Sequence, residues 1–559
     1  MRIVLIYPYF IDPRIDAEDV RFVPMGLYQV ASALKEHGHE VEVLNWHDRS
    51  RAPEAVARDL RAKRPQVVGC SILHANRWGG IEVARAAKRI DPAVTVVFGG
   101  VGATFLWEHL LQHFPEIDYV VLGEGERTFP RLVAALATDG GEAPGAIPGL
   151  ALRQNGRPAR TAASDPIDDL DALPMPGRDF DLSHVSLTRG CASNCRFCGS
   201  PAFWGRRVRS HSAAYFVEQL ARVRARGRRF LYVSDDTFTL NRRRVIEVCR
   251  TIVARRLDIA WAAISRVDAV DAEVLGWMRR AGCIQISYGV ESGSPEIRRR
   301  LNKSIRNAQI RRAFEATQRY GIMARAYFIY GCPGETRETI QASIDLMRDI
   351  QPLACVFYIL ALFPGTALYE SVKRRLGLTE AIWLERVEEL LYFETDPNLS
   401  ADQVLEFGRL LRESFYSGLP GFVEALSPVD DPEFRPLHAD FFSRLAMTFD
   451  QGDYARIDSI PGKPELAESL YRRALSYHPD ARAFLGLGIL EQKAGRFTPS
   501  AETLSQGLAH FPEDEQLMVC LAVSYMNLNR FQDALRLLAR CRREPQAQRL
   551  AAACRRAMR

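Results

Sequence analysis

The sequence has no apolar run of membrane-spanning length; the longest, around 322–330, is long enough for one strand. It has no recognisable leader, because MRIVLIYPYF carries one arginine and a short apolar run that meets Pro8 without a small-residue cleavage site. That segment reads as a buried first strand, and a cytoplasmic address is expected. Charge of one sign is also missing: a net +6 over 559 residues neither demands nor excludes an anionic partner. A disulfide framework is absent too. Of the 11 cysteines, Cys70, Cys249, Cys283, Cys332, Cys355, Cys520, Cys541 and Cys554 stand singly in apolar or helical segments, where a thiol is a small buried side chain. The other three crowd into one short stretch, and in a reducing compartment such a cluster points to metal.

What is present is an ordinary globular composition, 47% hydrophobic and 25% charged, over a length too great for one core. Residues 1–140 alternate strand patterns (3–7, 42–46, 67–72, 94–98, 118–122) with amphipathic helices, which predicts an α/β, doubly wound parallel sheet. Residues 141–183 are rich in Pro, Gly and Asp and read as a linker or wrapping arm. Over 184–400 the alternation resumes, with strands expected at 185–189, 230–234, 259–265, 284–289, 324–330 and 355–361. Six βα units make an open, partial barrel, because closure takes eight, and reactive groups should gather at the carboxyl ends of its strands. Past 400 the pattern is all helical: a connector at 401–460, then helical repeats at 461–559. The period there is near 34, with Arg496-Phe497 returning as Arg530-Phe531, as in tetratricopeptide helix pairs. About two and a half repeats are expected.

The segment VSLTRGCASNCRFCGSPAFWG holds Cys191, Cys195 and Cys198 as C-x3-C-x2-C in the loop leaving the first barrel strand. Three thiolates hold three irons of a 4Fe-4S cubane and leave the fourth iron open to a chelating substrate. A structural zinc site is the alternative; it needs a fourth ligand, for which His184 and His211 are the candidates.

This cysteine motif, with Phe197 before its third cysteine, resembles the signature of radical S-adenosylmethionine enzymes. The resemblance covers roughly 180–390 and implies that methionyl amino and carboxylate groups chelate the open iron, whose electron releases a 5'-deoxyadenosyl radical. It also implies roles at successive strand ends. Ser234, Asp235 and Asp236 would receive the methionyl ammonium, and Arg266 its carboxylate. Glu291 and Ser292 resemble the family's ribose-binding pair, and Gly331, Gly334 and Glu335 its turn of close backbone approach.

The front domain resembles the cobalamin-binding class of the same family. On that resemblance, Ser71, His74, Gly99, Gly100, Gly123, Glu124 and Gly125 would face the cofactor, with His74 and Arg77 approaching from below. One departure stands out. The D-x-H-x-x-G motif expected after the first strand is missing from YPYFIDPRID, while NWHDRS at 45–50 imitates it after the second. Any cobalt is therefore expected without a histidine from that loop, and His47 is expected on the surface.

The resemblance implies a radical enzyme with three cofactors, a 4Fe-4S cluster, S-adenosylmethionine and cobalamin, that methylates an unactivated carbon of a small-molecule or peptide substrate. The alternatives are a cyclase, oxidoreductase or rearrangement enzyme using the same cofactors, and a tRNA methylthiotransferase. The last would carry three cysteines in its front domain, where this chain has only Cys70, and would end in a small β domain. Nucleic acid is not expected as a partner. An electron donor such as flavodoxin or ferredoxin is expected, and the helical repeats offer a docking face for a protein. No catalytic acid or base is readable.

Overall fold

The computed structural model describes residues 1–11, 22–47, 53–138, 142–385 and 387–558. Five parallel strands open it: β1 (Arg2–Tyr7), β2 (Glu40–Asn45), β3 (Val67–Ser71), β4 (Thr95–Gly99) and β5 (Tyr119–Val121). An antiparallel hairpin, β6 (Leu150–Gln154) and β7 (Arg157–Arg160), completes the first sheet in the order β2-β1-β3-β4-β5-β6-β7. β3 is buried along its whole length, as a strand covered by helices on both faces must be. The order reverses between β1 and β3, and ligands of such sheets bind outside the carboxyl ends at that reversal.

The hairpin lies within 141–183, the segment expected as a linker or wrapping arm. Asn155 and Gly156 have φ of 51° and 78°, the left-handed pair that a two-residue hairpin turn requires.

The second sheet opens with β8 (His184–Val185). The chain then leaves it as β9 (Thr188–Arg189), pairs antiparallel with β10 (Arg209–Ser210), and returns as β11 (Phe230–Val233). β12 (Ala260–Ser265), β13 (Cys283–Glu291), β14 (Met323–Tyr330) and β15 (Ala354–Ile359) follow, giving six parallel strands in sequential order. The predicted strand 185–189 is thus broken in two, and the buried Asp235 accounts for the break. Its carboxylate accepts the Leu187 N–H at 2.7 Å and the Thr188 hydroxyl at 2.7 Å, replacing the ladder there. Intervening helices start at side-chain caps: Ser212, Asn241, Asp271 and Thr336 each accept a first-turn N–H.

One apolar core runs from the first sheet through the second to the helices Lys463–Tyr477 and Ala481–Lys493. Beyond 400 the chain is helical, as expected. Three helix pairs begin at Lys463, Phe497 and Phe531, each 34 residues after the last, so the expected half repeat is a full pair. Gly486 and Gly488 let neighbouring helices close in, since a Cβ there would strike Tyr471 and Leu504. Among the described residues no helix is long and apolar enough to cross a membrane.

Candidate functional site

The three cysteines lie on the loop between β9 and β10, each half-buried. The loop is lashed to the turn after the helix Pro295–Arg300: the Arg196 N–H donates to Leu301 O at 3.0 Å, and the Asn302 amide to Asn194 O at 2.6 Å. Cys191 Sγ lies 3.6 Å from Thr237 Oγ1. Burial raises the Cys195 thiol and pushes the Cys198 thiol up to about 11. Iron ligation would reverse that cost, because metals bind the thiolate. Among the described residues no three His, Cys, Asp or Glu side chains converge to hold a single ion. The zinc candidates are engaged elsewhere, His211 with Asp171 at 3.0 Å and His184 beside Ser183.

The strand-end residues divide into two groups. Asp236, Arg266 and Glu291 gather round the cysteine loop. Asp236 accepts from the Ser200 hydroxyl at 2.6 Å. Arg266 forms a two-pronged pair with Asp268 at 2.9 and 2.7 Å and reaches Ser193 of the loop at 2.6 Å. Glu291 stands at φ 66° beside a break in the β13–β14 register, a strained conformation of the kind that concentrates at functional sites. Its carboxylate accepts from the buried Lys303 ammonium at 2.7 Å. Gly289 makes room for that pair, because a Cβ there would strike both partners.

The others brace the fold. Asp235, expected at the ammonium, spends both oxygens on residues 187 and 188. Burial pushes its carboxyl up to about 7. Ser292, expected at the ribose, is fully buried, accepts the Ser294 N–H at 3.1 Å and meets Ser343. Glu335 accepts the N–H groups of Gly331 and Cys332 and so closes the turn, where Gly331 and Gly334 have φ of 74° and 67°. Ser234 bonds back to Val185 O at 3.3 Å.

Lys303 is the residue that sequence reasoning missed. Burial works against its charge, but Glu291 and the Cys195 side chain hold its pKa above the ordinary lysine value. In the sequence it stands within RRRLNKSIR, a run of cations in which nothing local sets it apart.

Across from this loop lie the carboxyl ends of β3, β4 and β5. Together they enclose a largely apolar cavity of about 720 Å³, lined by Ser71, His74, Gly99, Gly100, Gly123 and Gly125 on one side and by Phe197, Cys198 and Asp236 on the other. The glycines differ in what they do. At Gly100 (φ 92°) a Cβ would come within 2.7 Å of the Ile72 carbonyl, so its role is the turn itself, whereas a Cβ on Gly123 meets nothing within 4 Å. His74 is buried with no hydrogen-bond partner on Nε2, while Nδ1 lies 3.4 Å from Arg77. Burial, then Arg77, holds it neutral. This set fits a large corrin-type cofactor: an apolar chamber, a bare backbone edge and one orphaned buried ring nitrogen. His47 lies outside the lining and packs on Phe10; residues 12–16 and 48–50 of the two loops compared above lie outside the described residues.

Glu124 touches the cavity but its carboxylate is committed. It accepts from Arg209 at 2.6 Å and Arg189 at 2.5 Å, while Arg189 also reaches Glu126 and Gln29. Burial works against its charge, and the arginines still hold it below the usual carboxylate range. Trp204 lies against both guanidinium groups. The front domain is therefore clamped to the cysteine-bearing unit by buried ion pairs.

Residues 19–133 match the family model of the B12 binding domain, and 185–347 that of the Radical SAM superfamily. An uncharacterised methyltransferase of Pyrococcus horikoshii is 32% identical over 411 residues, 70% of this chain and 87% of its own length. The anaerobic magnesium-protoporphyrin IX monomethyl ester cyclase of Rubrivivax gelatinosus is 26% identical over 66% of this chain and 70% of its own. Among solved structures, the methyltransferase TsrM of Kitasatospora setae, with cobalamin and a [4Fe-4S] cluster bound, aligns with a TM-score of 0.58 at 22% identity, over 67% of this chain and 78% of that one. OxsB, a cobalamin-dependent radical enzyme, aligns over 100% of this chain and 83% of its own with a TM-score of 0.54 at 17% identity.

Proposed function

This chain belongs to the radical S-adenosylmethionine enzymes that carry a B12-binding domain, and we propose that it methylates a carbon that acid–base chemistry leaves unactivated. The observation that carries this reading is the facing of the two sheets, which puts the cysteine loop and the glycine-edged wall on one apolar cavity. When bound, the cluster, S-adenosylmethionine and cobalamin supply one-electron bond cleavage and a transferable methyl group. Everything else is placement by the protein. Cys191, Cys195 and Cys198 would hold three irons. Asp236 would take the methionyl ammonium, Arg266 with Lys303 the carboxylate, and Glu291 the ribose hydroxyls. The apolar lining keeps water from the reacting atoms.

We read the second sheet, within 184–400, as the six-unit partial barrel and the three helix pairs as tetratricopeptide-like. An electron donor of the flavodoxin or ferredoxin kind would supply the electron. Likeness to the ester cyclase favours one second reading, cyclisation with the same cofactors.

The test is iron and cobalt per chain after anaerobic purification from cobalamin-supplied cells, followed by tracing label from methyl-labelled S-adenosylmethionine. About four irons and one cobalt, with label passing to protein-bound cobalamin, is the expected result. Iron without cobalt removes the methylation reading, and zinc in place of iron removes the radical chemistry with it.

A further inference from the structure

Each cysteine of the loop has a different kind of neighbour. Cys195 lies in the field of Lys303, Glu291 and Arg266. Cys198 has the backbone N–H of Ser200. Cys191 meets the hydroxyl of Thr237, whose Oγ1 lies 3.6 Å from its Sγ. Of these contacts, only the last comes from a neutral side chain. It can therefore be removed without changing any charge or any backbone bond.

Thr237 follows Asp236 beyond the end of β11 and is buried. It occupies the cap position of the short turn Phe238–Leu240, yet its hydroxyl accepts no N–H from that turn. A buried hydroxyl proton left without an acceptor is costly. Two acceptors are in reach, the Asp236 carbonyl oxygen at 2.7 Å and the Cys191 sulfur. While Cys191 is a free thiol, either atom of the sulfur–oxygen pair can donate. A sulfur on iron has lost its proton, and then the hydroxyl alone can donate. It also faces an uneven choice, because a hydrogen bond to an ionised acceptor is roughly twice as strong as one to a neutral carbonyl.

We infer that Thr237 raises the reduction potential of the cluster by donating its hydroxyl proton to Cys191 Sγ. One electron enters on reduction, no covalent bond forms or breaks, and the hydroxyl keeps its proton. The reduced cluster carries one more negative charge, so the donated bond is stronger in that state and favours it; hydrogen bonds to the sulfurs are among the determinants of such potentials. Thr237 acts through Cys191 and is not itself a ligand. The inference rests on the cluster reading above for the iron, and on the contact with Cys191 for the donor and the sign.

An EPR-monitored redox titration of the full chain, purified anaerobically, tests it on wild type, Thr237→Val and Thr237→Ser, with iron measured in each sample. Valine keeps the branched shape and loses the hydroxyl, whereas serine keeps the hydroxyl. All three should load iron equally. In Thr237→Val the reduction equilibrium should be about tenfold less favourable, a midpoint lower by about 59 mV for a one-electron couple. Thr237→Ser should stay within about twofold of wild type. A valine variant within twofold of wild type, or a serine variant that drops as far as valine, overturns the inference. So does a valine variant that fails to assemble the cluster, because all three thiolates remain and a contact that only tunes the potential is dispensable for assembly. A wild type without iron removes the cluster reading and this inference with it, while full iron with equal potentials sinks this inference alone.

Discussion

The two parallel sheets aim their carboxyl ends at the same cavity but prepare those ends in opposite ways. The first sheet ends in Gly99, Gly123 and Gly125, short apolar neighbours and a neutral His74, so it offers space. The second ends in Cys198, Asp236, Arg266 and the Glu291–Lys303 pair, so it offers charge and ligands. The same strand–helix repeat thus serves two needs, and what distinguishes them is whether side chains are removed or supplied at strand ends. A large cofactor face needs bare backbone, while a small charged cofactor needs fixed donors and acceptors.

The sharpest way to break that comparison is at the cysteine loop. Cys195→Ala should abolish iron binding while leaving cobalt content unchanged, as metal analysis of the purified variant would show; loss of both metals would mean the two ends are not separable. Lys303→Met comes next, because it leaves the buried Glu291 carboxylate without its cation. Breaking such a pair costs about 3–5 kcal/mol, and adding Glu291→Gln should restore part of it in a thermal melt. On the opposite side, Gly99→Leu tests space alone. A Cβ there sits 3.8 Å from Val121, an ordinary contact, so the fold should hold while cobalt per chain falls about tenfold and iron does not.

The smallest effect is a pH dependence confined to the second sheet. Asp235 is raised to about 7, so the folded state keeps a proton that the unfolded state gives up. Its own contribution to stability should therefore fall as pH climbs from about 4 to about 7 and level off above. Glu335, also raised to about 7, acts with the same sign. Asp235→Asn should remove its share, seen as a pH 5 to pH 8 difference in melting temperature smaller by roughly 2–4 °C. A variant that keeps the full difference would place the titration elsewhere.

The sequence showed whatever is local. Strand alternation fits within a short window, and the strands of both sheets formed where it placed them, to within a few residues. What a short window does not show is which way a polar side chain turns, because that depends on what lies opposite. Asp235 and Asp236 are adjacent in the chain, yet one is turned back to residues 187 and 188 and the other toward the cysteines. Ser292 follows Glu291, yet its hydroxyl is spent on the Ser294 N–H and Ser343. Lys303 was hidden in a run of cations because nothing local shows that Gly289 leaves room for its partner. The β6–β7 hairpin was overlooked for a different reason: its Asn155-Gly156 signal was present, but the prolines on either side suggested irregular chain.

The pairing of β9 with β10 sets Arg189 directly opposite Arg209, two like charges that repel when left facing each other. Glu124 and Glu126, both from the other domain, settle them. The unit bearing the cysteines thus carries a charge repulsion that carboxylates of the front domain offset. A transplant of either half onto a foreign partner would have to carry its side of the clamp along.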